Sequence, residues 1–263
     1  TKTKQIGFRY SCLLMAPRLG LGNSVTANPV IDSFDNTYSV DFDGSNDYMD
    51  AGTGIGDTLG DNYTGSLSVS FWFKADNTAR TYDGMFDIGP FNGNGGKFWV
   101  QMHSNKLRFW LDEFNWMRTV AFTDSSSWHH LVAIYAAGSA TNSKMYLDGS
   151  SVGTISSSYN TFPSSSDMDF AGLKTILAGY YSTSYTWAGL IDELAIFNSE
   201  LSASQVTSIY NSGKPKSLTS LSPLGWWRLG DNDGGTGTTI TDQGSGGNDG
   251  TLVNGPAFST SVP

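Results

Sequence analysis

"LSVSFWFKA", residues 67–75, decides the fold. Leu67, Val69, Phe71 and Phe73 recur at every second position, which places them on one face of an extended strand. Reading outward, "YSVDF" (38–42) alternates before it. "GMFDIG" (84–89), "GKFWVQMHSNKLRFWLD" (96–112), "WHHLVAIYAAG" (128–138), "SKMYLDGSSVGTI" (143–155), "KTILAGYYS" (174–182) and "WAGLIDELAIFN" (187–198) follow. Asp148-Gly149 between apolar runs is a short-hairpin signal. Many short strands with turn signals between them predict an all-β sandwich or jelly roll. One helix is expected, in "NSELSASQVTSIYNSG" (198–213). There Ser202 and Gln205 form a capping-box pattern, Val206, Ile209 and Tyr210 make the apolar stripe, and Gly213 marks the stop.

Composition agrees. Aromatic residues are 13% of the 263 residues and charged residues only 15%, so the polar surface rests on Ser, Thr, Asn and Gly, which favour turns and strands. The formal charge is −9, which argues against a nucleic-acid partner because little is present to neutralise phosphates. The single cysteine, Cys12, excludes an internal disulfide framework and a multi-cysteine zinc site. No run approaches the length of a membrane-spanning helix. At the start, the apolar run "CLLMAP" is too short for the core of a signal peptide. The expected organisation is an N-terminal arm over 1–37, a core domain over 38–213, a linker over 214–223 and a C-terminal segment over 224–263.

Four spaced blocks carry a resemblance. "YSVDFDGSNDYMDAG" with "GSLSVSFWFKAD", then "SWHHLVAIY", "KMYLDGSSVGT" and "WAGLIDELAIFNSELSASQVTSIYNSG" resemble laminin-G-like, concanavalin A-like antiparallel jelly rolls. The tail, "LSPLGWWRLGDNDGG" onward, resembles the C-terminal ends of such proteins encoded by marine bacteriophages. In ordinary members a similar W-x-R-L segment precedes the first block. Here it follows the domain, so it either returns to its own sheet or adds to a neighbouring subunit's edge.

The resemblance implies a calcium site at one end of the sandwich, with Asp43, Asp47 and Asp192 as candidate ligands. The competing reading of Asp43 and Asp47 is a turn in which they accept from backbone amides. An EF-hand is excluded, since Gly44 comes too early and no Glu follows. "DNDGGTG" (231–237) and "DQGSGGNDG" (242–250) read as turn chemistry. Trp116 and Tyr185 stand in loop-like context near Asp and Asn, and are the candidate carbohydrate-binding aromatics. The strand tryptophans Trp72, Trp99, Trp110, Trp128 and Trp187 default to core.

No enzyme is expected. The only glutamates are Glu113, Glu193 and Glu200, and strand alternation sends Asp192 and Glu193 to opposite faces, which leaves no carboxylate pair for glycoside hydrolysis. His129 and His130 diverge for the same reason. Two functions follow. One is a non-enzymatic phage virion structural protein on the virion surface, for capsid decoration or an appendage, self-associating through its arms and contacting host glycans. The other is an extracellular, calcium-dependent carbohydrate-binding module.

Overall fold

The computed structural model describes residues 34–90, 96–180 and 182–263. Cys12 and most of the expected N-terminal arm lie outside the described residues. In chain order the elements begin with β1 (Ser39–Asp43), β2 (Tyr48–Asp50), α1 (Gly54–Leu59), β3 (Leu67–Ala75), β4 (Asp83–Gly89) and β5 (Phe98–Met102). Next come β6 (Lys106–Leu111), β7 (Trp116–Ala121), β8 (His129–Tyr135), β9 (Lys144–Leu147), β10 (Ser150–Val152) and β11 (Thr154–Asn160). Then follow β12 (Lys174–Leu177), β13 (Gly179–Tyr180), β14 (Ser182–Thr186), β15 (Ala188–Phe197) and α2 (Ala203–Tyr210). The chain closes with β16 (Gly225–Trp227), β17 (Thr239–Ile240), β18 (Gly250–Val253) and β19 (Ala257–Ser259).

The strands form two sheets, with antiparallel pairing throughout except between β14 and β4. The first runs β10-β9-β8-β3-β15-β1-β19, with β16 also on β15; the second runs β11-β7-β6-β5-β4-β12-β2-β18-β17. Period-two patterning explains the layers. Leu67, Val69, Phe71 and Phe73 of β3 enter the central core and meet Phe98, Val100, Phe109 and Leu111 of the second sheet. The outer face of the first sheet is covered by α2, whose Val206 and Ile209 join Val132, Ile134, Ala195 and Phe197. Ser202 caps α2 by accepting from the Gln205 amide at 3.2 Å, while Gln205 Oε1 accepts from the Ser202 amide at 2.8 Å.

The short α1 has no sequence signature. It exists because Ile55 and Leu59 find the core, and Gly56 lets it lie against the Phe170 and Leu173 carbonyls, which a Cβ would approach to 2.4 and 2.5 Å.

The C-terminal segment takes its own sheets. β16 pairs with the far half of β15, β18 with β2, and β19 with β1. Trp227, Leu229 and Ile240 are fully buried in the central core. Residues 224–263 therefore belong to the same folded body as 38–213, with the first-sheet pairing supplied from the chain's end.

Candidate functional site

The three aspartates proposed to hold calcium do not converge. β1 and β15 pair Asp43 with Ala188 and Val40 with Ile191. Asp192 thus lies four residues along β15 from Ala188 and about 13 Å from the Asp43 end at strand rise. At that end the turn is closed by its own side chains: the Ser45 amide donates to Asp43 Oδ1 at 2.7 Å, and the Asp43 amide to Asp47 Oδ2 at 3.3 Å. Arg80 adds a guanidinium bond to the Gly44 carbonyl at 2.7 Å. The residues present do not form a three-carboxylate calcium site.

Asp192 instead has a different neighbour, and the alternation argument fails there. β15 hands over from β1 to β16 at this point, and its register with β3 shifts between Asp192 and Ala195. Glu193 takes a left-handed backbone, φ 50°. This bulge turns both carboxyls to one side, where ligand atoms of Asp192, Glu193 and Asp231 lie within 4.8 Å of one another. Every carboxylate oxygen there accepts a bond. Asp192 accepts from Asn36 Nδ2 at 2.9 Å and the Glu193 amide at 2.8 Å. Glu193 accepts from Trp226 Nε1 at 2.7 Å and Arg228 Nε at 2.8 Å, and Asp231 from the Thr37 amide at 2.7 Å, the Tyr38 amide at 3.2 Å and Arg228 at 3.3 Å. The Arg228 guanidinium also sits 4.0 Å over the Phe34 ring. Burial pushes the Asp192 carboxyl well up, with the neighbouring Glu193 charge adding to it. Burial pushes Glu193 up to about 7, against the opposing charge and bonds of Arg228. This is a buried clasp between the C-terminal segment and β15. With Asp192 and Glu193 fully or almost fully buried, it offers no substrate access.

A second aromatic cluster, buried beneath partly exposed rings, lies on the outer side of the other sheet. β5, β6 and β7 place Trp99 opposite Trp110 and Trp110 opposite Met117. These alternate with Phe98, Phe109 and Trp116, which point into the core. Trp99 and Trp110 stack with centroids 5.2 Å apart at 6°. Among the described residues the exposed large apolar side chains are Tyr82, Phe114 and Tyr159, and all three border this face. Phe114 stands edge-on to Trp99 and Trp110 at 5.6 and 5.5 Å, and Tyr159 edge-on to Trp110 at 4.9 Å. Tyr82, held at φ 65°, meets His103 at 4.5 Å and Tyr185 at 5.7 Å. A bulky side chain in the left-handed region is a costly backbone choice. One residue pair along the strands from the tryptophans, Thr119, Arg108 and Gln101 form a polar row. Gln101 Oε1, Trp110 Nε1 and the His103 Nδ1 atom are buried without a hydrogen-bond partner.

Tyr185 lies at this face, packed against the Trp99–Trp110–Met117 cluster. Trp116 does not: it begins β7, is fully buried, and packs on Phe109 and Phe162 in the core. In "DEFNWMR" the exposed ring is Phe114 and not the expected Trp116, because the turn ends at Asn115 and Trp116 already begins β7. Trp99 and Trp110 are buried as expected, at 0% and 3% exposure, but in a separate cluster on the outer side of the sheet. The signal that separates them was present, since they are out of phase with Phe98, Val100, Phe109 and Leu111.

The remaining candidates are structural. Asp242 accepts from the Trp226, Gly244 and Asn248 amides at 2.7–2.8 Å, and Asp233 from Thr241, so the Gly/Asp-rich tail is turn scaffolding. His129 bridges Asp148 and Asp124 at 2.7 and 3.2 Å, while His130 is buried against Ser70 at 2.8 Å.

The chain belongs to the concanavalin A-like lectin/glucanase superfamily, whose laminin-G-type profile matches residues 43–207. No curated protein matches it. Among solved structures, a candidate carbohydrate-binding protein from Bacteroides ovatus is similar over 85% of this chain, with 15% identity and a TM-score of 0.56. This chain spans 60% of that protein's length. A heptameric SAP-like pentraxin from Limulus polyphemus is similar over 86% of this chain and 96% of its own, with 12% identity and a TM-score of 0.54. At these identities the likeness is one of fold.

Proposed function

We propose that this protein is a non-enzymatic carbohydrate-binding domain that takes its ligand on the outer face of β4–β7. The observation that carries the reading is the exposure of Phe114 and Tyr159 over a buried, stacked tryptophan pair, with Tyr82 exposed beside His103 and Tyr185 on the same face. Aromatic faces give a sugar ring apolar contact, and adjacent polar atoms fix its orientation. The fold shared with the Bacteroides ovatus protein supports the same reading. Catalysis is disfavoured because the carboxylates that do meet, Asp192 and Glu193, are buried and bound to Arg228 and Trp226.

Because the Asp43, Asp47 and Asp192 set is dispersed, ligand binding on the β4–β7 face is expected to survive chelation. A glycan array followed by calorimetry tests the proposal. Binding that weakens in the Phe114→Ala and Tyr159→Ala variants, with a cooperative melt retained, supports it; an array without any hit removes it.

The virion setting is a proposal about where the domain is carried. Its structural motive was strand exchange through the C-terminal segment, and that segment is used within the chain, so the motive that remains is the resemblance of the tail. Mass spectrometry of purified particles decides it, and absence of the protein from them ends it.

A further inference from the structure

We infer that the ligand of the β4–β7 face is a neutral glycan and that acidic sugars are excluded. The inference rests on the carbohydrate-binding reading and adds the charge class. It starts from three polar atoms that the fold desolvates and leaves without partners: Trp110 Nε1, Gln101 Oε1 and His103 Nδ1. Gln101 is 1% and Trp110 3% exposed, so each carries the cost of a buried, unsatisfied group. An indole N–H only donates and an amide oxygen only accepts. A sugar hydroxyl can answer both, since one oxygen donates and accepts. A carboxylate or sulfate only accepts, so it could answer the indole N–H but would meet repulsion at Gln101 Oε1.

Several of the cations near the face are already engaged within the protein, while Lys106 at its edge is exposed. Lys97 is bound to Asp112 at 2.7 Å, and Arg80 to Asp83 at 2.8 Å and to the Gly44 carbonyl. Arg108 is engaged as well. Burial, with Arg108 and Lys106 nearby, lowers the His103 pKa. The whole chain, at −9, repels polyanions. Access to the Trp110 edge requires Phe114 or Tyr159 to swing aside. Both rings are about half exposed, at 49% and 42%, and a side-chain rotation of this kind is fast. Binding is therefore expected to change tryptophan fluorescence.

The test is calorimetry and fluorescence titration of the full chain with two sets of hexasaccharides. The neutral set is cello-, laminari- and mannohexaose; the acidic set is a galacturonate hexamer and a heparin hexasaccharide. Wild type, Phe114→Ala and Gln101→Met are compared, with melting curves as the control for folding. The expected result is binding within the neutral set alone, insensitive to salt and weakened at least about tenfold in both variants. Binding of the acidic set, weakened in Phe114→Ala, overturns the neutral class and leaves the face standing. Neutral binding at wild-type strength in both folded variants overturns the face. Silence in both sets overturns the carbohydrate-binding reading itself.

Discussion

At Trp116 and Phe114 one turn decides which ring serves the core and which serves the surface. Trp116 is fully buried between Phe109 and Phe162; Trp116→Ala is expected to cost about 3–5 kcal/mol of stability, read from denaturant unfolding. Phe114→Ala removes a ring that is half exposed and is expected to cost about 1 kcal/mol or less while weakening ligand binding. The reverse pattern would exchange their assigned roles. At the clasp, Arg228 is the cation that offsets Glu193 and Asp231. Arg228→Met leaves buried carboxyls without it, and is expected to destabilise the fold by about 3–5 kcal/mol, again measured by equilibrium unfolding. The alternation rule read Phe71 and Phe73 correctly because β3 is regular there. It failed at Glu193, where a positive φ breaks the parity on which the rule depends.

Among the elements, β15 is the organising strand. Its first half holds β1, its second half holds β16, and β3 lies along its other side. A strand of ten residues can serve two partners on one edge only if the handover leaves room, and the bulge with its acidic clasp occupies that room. The C-terminal segment is consequently a sheet component. A chain ending at residue 213 would lose β16, β18 and β19, and with them Trp227, Leu229 and Ile240 from the core. It is expected to be unfolded or molten, judged by loss of near-ultraviolet circular dichroism and of a cooperative melt. A truncated chain that melted like the full one would show the segment to be an accessory. The position of β16 was not legible in its own sequence: "GWWRL" is a competent strand anywhere, and only the vacancy beside β15 selects its place.

For the whole molecule, pH acts through opposed groups. His130 is fully buried and its pKa is pushed down to about 3 by desolvation, so the folded state holds fewer protons there than the unfolded chain. Its contribution is present above about 6.5 and is lost as pH falls toward 3. Glu193, raised to about 7, and Asp83, raised to about 6 by burial despite Arg80, hold more protons folded than unfolded. Their contribution is full below about 4 and is lost as pH rises through 6 and 7. The two trends offset one another between about pH 4 and 6.5. Glu193→Gln removes a descending limb. Relative to this variant, the wild type is expected to lose stability as pH rises from 4.5 to 7.5, measured by urea midpoints across that range. A pH-independent difference between the two proteins would show that Glu193 is not held protonated.

The sequence by itself determined the sandwich, its central strand β3 and the capped helix α2, because period-two and period-3.6 patterning and a capping box are local and need no partner. It also determined that the Gly/Asp tail is turn scaffolding. The tertiary structure alone decided which aromatic rings are surface, where the carboxyls meet and whose sheet the tail completes. Those depend on register, on a bulge and on the one edge left open, and a strand carries no local record of the neighbour it will find.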